Sequence, residues 1–209
     1  MTILEQLINL MLEKVEVTPV PKQELDDFLL QNNIEICDEH YKFLLKYGNS
    51  VFLKYGYANL KFDYLKLTYF DDENSEESKL PDNCNYIGSD ISTDPLCIDF
   101  ETKKIYLFSY GEKDLLCYDG LNELLFFRLF QLVAKKQYFD KIEINIKIED
   151  IEKFKSEYLD YEIKGIYLYN HYFFKDGKLI ICSEKFYSYN IYHGGILYKV
   201  IDDRVDNLI

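Results

Sequence analysis

The stretch that decides the fold is YIGSDISTDPLCIDFETKKIYLF, residues 86–108. Within it, Leu96, Ile98 and Phe100 alternate with Cys97 and Asp99, which is the period of a strand with one buried face. A short polar stretch at residues 102–104 then leads into the apolar run IYLF. Two alternating or apolar runs joined by a few polar residues predict an antiparallel hairpin.

A helical segment, DEHYKFLLKYGNS, precedes this hairpin at residues 38–50. Asp38 is placed to cap its start, and Gly48 is placed to end it in the left-handed conformation. The apolar residues that recur at helical spacing are Tyr41, Leu44 and Leu45. The order of the two patterns predicts helices followed by a meander of strands.

Other segments extend the prediction in both directions. Residues 2–15 and 22–31 show amphipathic helical periods, whereas NLKFDYLKLTY at residues 59–69 has the alternation of a half-buried strand. Residues 121–136, LNELLFFRLFQLVAKK, form a helix that is apolar on nearly every side and therefore has to be covered on more than one face. We expect the residues after this helix to supply that cover.

The last third of the chain is rich in predicted strands. Residues 142–146 alternate as a strand, and residues 149–158 form a short amphipathic helix. Two hairpins are predicted, one turning at Lys175, Asp176 and Gly177 and the other joining residues 187–192 to residues 196–201.

The predicted fold class is α+β, with N-terminal helices flanking a mostly antiparallel, meander-like sheet. We assign residues 1–137 to this α+β domain. Residues 138–209 are assigned to a strand-rich C-terminal extension that packs on the same core as one globular unit.

Composition restricts the environment of the protein. With 209 residues and 48% hydrophobic content the chain can bury a sizeable core, and no stretch approaches the roughly 18 uninterrupted apolar residues of a membrane span. The five cysteines are irregularly spaced and form no CxxC pair. An odd, irregular set of this kind predicts reduced, structural thiols and a cytoplasmic protein without membrane contact.

Several of these patterns together resemble a known family, the SUKH superfamily of bacterial immunity proteins, which also includes fungal regulators of cell-wall synthesis. The chain shows the family's phrases in the family's order, from YKFLLKYGN at residues 41–49 through an acidic loop at residues 71–79 to the strands of residues 86–108 and the helix after them. The resemblance covers residues 21–135. One departure is the Gly48-Asn49 pair, where the family often has Asn-Gly.

The resemblance implies a non-catalytic role as an immunity protein that binds and blocks a polymorphic toxin. An intracellular scaffold or regulator of the same fold is the alternative. The formal net charge of −13 repels nucleic acid and attracts basic proteins, so the partner implied is a basic toxin of the nuclease class. Chemistry alone then nominates eight partner-binding carboxylates: Asp71, Asp72, Glu73, Glu76, Glu77, Asp82, Asp90 and Asp94.

Catalytic motifs are weak by comparison. Asp82 with Glu101 and Lys103 formally fits the carboxylate and Glu-x-Lys pattern of metal-dependent nucleases, which makes such an enzyme a remote alternative. A polar hairpin turn explains Glu101 and Lys103 equally well. The chain has no Gly-rich phosphate loop and no activated nucleophile in a recognised context, so we predict no enzyme activity, no cofactor and no metal.

Overall fold

The computed structural model describes residues 1–68, 79–135, 138–168 and 170–202. The chain divides into two compact units, of which one is Val15–Leu124 and the other combines Met1–Lys14 with Leu125–Ile209. We call them the central unit and the terminal unit. The first helix and most of the long helix are grouped with the C-terminal strands. The domain boundary at residues 137 and 138 stays a prediction.

The predicted α+β class is confirmed, with N-terminal helices followed by antiparallel strands. The described residues contain six α-helices: α1 (Ile3–Leu12), α2 (Lys22–Gln31), α3 (Asp38–Tyr47), α4 (Phe62–Thr68), α5 (Leu121–Lys135) and α6 (Ile151–Tyr158). They also contain ten strands: β1 (Lys54–Tyr55), β2 (Ala58–Asn59), β3 (Cys84–Ser89), β4 (Pro95–Asp99), β5 (Ile105–Ser109), β6 (Glu112–Tyr118), β7 (Lys141–Lys147), β8 (His171–Lys175), β9 (Lys178–Ser183) and β10 (Ser188–His193).

In the central unit the six strands β1 to β6 form one antiparallel sheet in chain order, which is the predicted meander. The hairpin expected from residues 86–108 is present, with Ile98 opposite Ile105 and Leu96 opposite Leu107. A buried cluster joins α2, α3 and α4, and consists of Val20, Leu25, Leu44, Phe62 and Leu65.

Two local predictions in this unit are wrong. Residues 59–69 were expected to form a strand, but Phe62 and Leu65 are three residues apart on α4 and both are buried in the helical cluster. The apolar spacing of this segment fits a helix as well as a strand, and packing against α2 and α3 decides in favour of the helix.

The second error concerns the ends of α3. The helix is capped by Cys37, whose N–H donates to Asn85 Oδ1 at 2.7 Å, so Asp38 is the first helical residue. Gly48 has a right-handed φ of −58° and needs no left-handed conformation. A Cβ atom at Gly48 would lie 2.6 Å from Val20 Cγ2, so glycine is required here by close packing.

In the terminal unit the four strands are antiparallel in the order β7, β10, β9, β8. Consecutive residues of β8 face opposite sides of the sheet: Tyr172 packs against Phe126 of α5, with 5.4 Å between ring centroids, and Phe173 packs against Phe154 of α6, with 6.0 Å between centroids. The C-terminal strands therefore cover α5, as its apolar sequence predicts.

The second predicted hairpin of this unit is wrong. β10 pairs with β9 and with β7, and the residues that follow it form a 3₁₀ helix, Gly195–Lys199, where a strand was expected. Gly195 has a positive φ of 57°, and a Cβ atom there would lie 2.1 Å from the Tyr138 carbonyl oxygen. The chain turns sharply at this point because two glycines allow a conformation that a strand residue does not adopt.

Helix α1 is tied to the end of the described chain. Thr2 and Glu5 form a capping box at its start. The Gln6 side chain then makes two hydrogen bonds with the backbone of Ile201, accepting from its N–H at 2.8 Å and donating to its carbonyl at 2.9 Å. Lys199 Nζ lies 3.2 Å from Glu13 Oε2 and adds an ion pair to this contact.

Candidate protein-interaction surface

Negative charge is unevenly divided between the two units. The central unit contains 22 Asp and Glu against 10 Lys and Arg, a net charge of −12. The terminal unit contains the remaining 15 acidic and 14 basic residues, a net charge of −1. Nearly all of the protein's net negative charge therefore belongs to the central unit.

Part of this charge lies together at one end of the sheet. Five exposed carboxylates surround the start of α3, the start of β3 and the turn between β4 and β5, and we call them the acidic end: Glu35, Asp38, Glu39, Asp82 and Glu101. One side-chain and one backbone hydrogen bond hold these segments side by side, since Asn85 Nδ2 donates to the Glu35 carbonyl and Phe100 N–H donates to the Asn83 carbonyl at 2.8 Å.

The structure separates the predicted acidic residues that it describes. Asp82 precedes β3 at the acidic end, whereas Asp90 and Asp94 lie beyond the far end of β3, a strand of six residues that spans roughly 17 Å. Asp71, Asp72, Glu73, Glu76 and Glu77 lie outside the described residues. Whether they bind a partner stays a prediction.

Asp90 has a structural role. Its side chain is only 3% exposed, and its Oδ1 accepts hydrogen bonds from the N–H groups of Ser92 and Asp94, at 2.8 and 2.9 Å. A carboxylate that accepts local backbone bonds in this way shapes the turn between β3 and β4. Asp94, by contrast, is exposed in the same turn.

The residues of the nuclease alternative lie at the acidic end but are differently engaged. Asp82 and Glu101 are exposed, whereas Lys103 Nζ is bonded to the Phe100 carbonyl and lies 3.2 Å from Glu39 Oε2. The lysine ammonium therefore contacts the backbone of the turn and a carboxylate of α3. In residues 1–68, 79–135, 138–168 and 170–202, no group of three or more His, Cys, Asp or Glu side chains has the geometry to hold a metal ion.

An ion pair between a buried carboxylate and a partly exposed lysine supports the meander, and sequence reasoning missed it. Asp99 accepts hydrogen bonds from the N–H groups of Glu101 and Thr102 and from the Thr102 hydroxyl, and it forms an ion pair with Lys113 of β6. Burial by itself raises the pKa of the Asp99 carboxyl, but the bonds from Lys113, Thr102 and Glu101 together hold that pKa well below its usual range.

Replacing Lys113 by methionine tests the contribution of this pair. The Asp99 carboxylate then stays buried without its cation, so we expect the free energy of unfolding to fall by about 2 kcal/mol at pH 7. Because the native carboxyl has the lower pKa, its stabilisation is present above its ordinary pKa of about 4 and is lost as the pH falls further. Urea denaturation of the two proteins at pH 7 and pH 3 measures the loss in free energy of unfolding and its dependence on pH. An equal loss at both pH values would contradict the ion pair.

The three histidines differ in environment. His171 has both ring nitrogens against carboxylates, with Nδ1 3.1 Å from Glu162 Oε1 and Nε2 2.8 Å from Glu184 Oε1. His193 Nε2 lies 2.6 Å from Glu143 Oε1. His40 on α3 is only 3% exposed, and burial lowers the pKa of its imidazole to about 3.

Acid should therefore destabilise the protein through His40. The unfolded chain binds a proton at this histidine below pH 6.5 and the folded chain does not, so stability falls as the pH drops from about 6.5 towards 3, by up to about 1.4 kcal/mol per pH unit. In His40→Phe that contribution is absent, and the loss of stability between pH 6 and pH 4 becomes shallower. Urea denaturation of both proteins across this range is the measurement, and unchanged slopes would contradict the assignment.

All five cysteines are buried and none forms a disulfide. Burial raises the pKa of the Cys117 and Cys182 thiols to about 11 in each case, which disfavours the reactive thiolate. Their packing agrees with the structural role that the sequence predicts. None of the helices in the described parts of the chain has the length and apolar character needed to cross a membrane.

Comparison with known proteins adds no assignment. Neither protein-family models, nor curated proteins, nor solved structures give a significant match to this chain.

Proposed function

We propose that this protein is a non-catalytic immunity protein that binds a basic bacterial toxin of the nuclease class and covers the cleft in which that toxin holds its substrate. The order of sequence patterns that resembles the SUKH superfamily supports this proposal. The observation that carries it is the net charge of −12 on the central unit beside a terminal unit of −1.

The physical argument starts from the toxin's substrate. A protein that cleaves nucleic acid has to neutralise phosphates with lysine and arginine, so its substrate cleft is basic. A strongly acidic surface is complementary to such a cleft, raises the rate of encounter and disfavours acidic partners. Occlusion needs no reacting group in the immunity protein, since its effect is to exclude substrate.

Co-expression tests the proposal. The proposal predicts that a basic toxin is encoded beside this chain. That toxin is expressed alone and with this chain, and we expect this chain to restore growth. With the purified pair, nuclease activity should fall to zero at an equimolar ratio, and mass spectrometry should recover the toxin unmodified. Loss of nuclease activity through cleavage or modification of the toxin would overturn the non-catalytic mechanism, and absence of any protection would overturn the immunity function.

A further inference from the structure

A short segment covers one edge of the sheet in the terminal unit. β8 is the last strand in the order of that sheet, and residues 159–163, which begin as a 3₁₀ helix and which we call the strap, reach its outer side. Glu162 forms an antiparallel bridge with Phe173, and the Ile163 N–H donates to the Tyr172 carbonyl at 2.8 Å. The strap therefore occupies backbone groups that an edge strand would otherwise leave open to pairing with another chain.

One side chain of β8 joins the strap to the sheet. His171 Nδ1 lies 3.1 Å from Glu162 Oε1 in the strap, and His171 Nε2 lies 2.8 Å from Glu184 Oε1, just after β9. An ionised carboxylate only accepts hydrogen bonds, so both ring nitrogens have to donate, whereas a neutral imidazole has a single N–H. The two contacts can therefore be hydrogen bonds at the same time only when the ring is the doubly protonated imidazolium.

The other ionisable groups around His171 keep their charge between pH 6 and pH 8. Lys155 Nζ of α6 lies 2.7 Å from the same Glu184 oxygen, and this hydrogen bond raises the pKa of the lysine and lowers that of the glutamate. Cys182 stands opposite His171 in the register of β8 and β9, and burial raises the pKa of its thiol to about 11. Glu152 adds a carboxylate from α6, within electrostatic reach of Lys155. Of these five groups, histidine is the type whose charge ordinarily changes in this pH range.

We propose that His171 makes the strap sensitive to pH: the imidazolium holds the strap closed over β8, and loss of one ring proton loosens it. In either neutral tautomer one carboxylate faces a ring nitrogen without a proton, and the remaining hydrogen bond loses the assistance of the charge. The closed strap thus favours the protonated ring, so by linkage a rise in pH favours the open strap. Opening makes the backbone of Tyr172 and Phe173 available to a strand of another chain. This inference goes beyond the proposed function, since it concerns the terminal unit and requires no toxin.

Amide hydrogen exchange of the whole protein measures strap opening directly. The Ile163 amide is the reporter, because its N–H bonds from the strap to β8. After correction for the intrinsic pH dependence of exchange, we expect its protection to fall about tenfold between pH 6 and pH 8. The Ile148 amide, which donates to the Tyr187 carbonyl just after β7, at the opposite edge of the sheet, should change less than twofold. Ring ¹⁵N spectra at pH 6 should show a proton on both nitrogens of His171.

Two substitutions of the same residue separate the effect of charge from that of shape. His171→Gln is neutral at every pH, so Ile163 protection should be about tenfold lower at pH 6 and should not change further at pH 8. His171→Arg stays cationic and can donate to both carboxylates, so protection should remain high at pH 8. His193→Gln is the matched control, because His193 contacts Glu143 of β7, and it should leave the pH dependence of Ile163 protection unchanged.

Three results would overturn the role of His171. The first is equal protection of Ile163 at pH 6 and pH 8 in the unchanged protein, and the second is a ring nitrogen of His171 that carries no proton at pH 6. The third is a fall in protection that persists in His171→Arg, because it would assign the pH dependence to another group. The co-expression experiment tests the proposed function separately, and its failure would leave the strap and its pH dependence in place.

Discussion

Reversing five carboxylates at once should slow association with the proposed basic partner by about a hundredfold at low ionic strength. The change is Asp71, Asp72, Glu73, Glu76 and Glu77 to lysine, which takes the net charge of the central unit from −12 to −2. Steering of a charged partner depends on this field, so the effect should shrink as salt is raised towards 0.5 M. Stopped-flow measurement of the association rate at several ionic strengths gives the loss in rate and the dependence of that loss on salt.

A control with the same total charge change identifies where the field acts. Five exposed carboxylates of the terminal unit are reversed to lysine: Glu149, Glu152, Glu157, Asp160 and Asp176. We expect this variant to lose less than fivefold in association rate. Equal slowing of the two variants would mean that only net charge matters, and a rate of the unchanged protein that is independent of salt would remove the electrostatic explanation altogether.

Phe130→Ala should lower the free energy of unfolding by about 4 kcal/mol. Phe130 is buried on α5, and its ring meets that of Tyr192 edge to face at 5.0 Å between centroids. Phe126, Phe139 and Tyr172 surround it at 6.2 to 6.3 Å. Alanine leaves a cavity in this aromatic cluster and removes its ring contacts, each of which adds roughly 0.5 to 1.5 kcal/mol beyond area burial.

The neighbouring residue Leu132 provides the comparison. It lies on the same helix but is only half-buried, so Leu132→Ala should cost about 1 kcal/mol. Urea denaturation of the two variants, followed by circular dichroism, compares them directly. A loss below 1.5 kcal/mol for Phe130→Ala would contradict the central role of this ring in the packing of α5 against the C-terminal strands.

Local patterns predict much of this fold because neighbouring residues carry them. Helix α2 has its predicted bounds, Lys22–Gln31, and the Asp176-Gly177 turn joins β8 to β9 as expected. The apolar stripe of α3 was predicted only partly, because its buried face contains His40, Phe43, Leu44 and Tyr47. His40 was not counted as a core residue because histidine is polar, although a histidine can be buried as a neutral imidazole.

The candidate surface was harder to predict. Asp82 was nominated, but Glu35 and Glu39 were not, since their place beside it depends on the Asn85 contact with the α3 cap and on the Lys103 ion pair. The first contact joins residues 48 positions apart in the chain and the second joins residue 39 to residue 103. Contacts between residues so far apart in the chain leave no periodic pattern in the sequence. Asp90 was nominated because it is acidic, whereas only the structure shows that its charge is used within a turn.

The pairing of α1 with Ile201 has a consequence for protein synthesis. The ribosome releases the N-terminal helix first, and at 5 to 20 residues per second the backbone that Gln6 binds follows roughly 10 to 40 seconds later. During that interval the apolar face of the helix, including Leu7 and Met11, has no native neighbour from the chain's end. Chaperones that recognise short amphipathic segments can bind α1 during this interval, and a tag fused ahead of Thr2 would be attached to a helix whose contact with Ile201 forms only when synthesis is nearly complete.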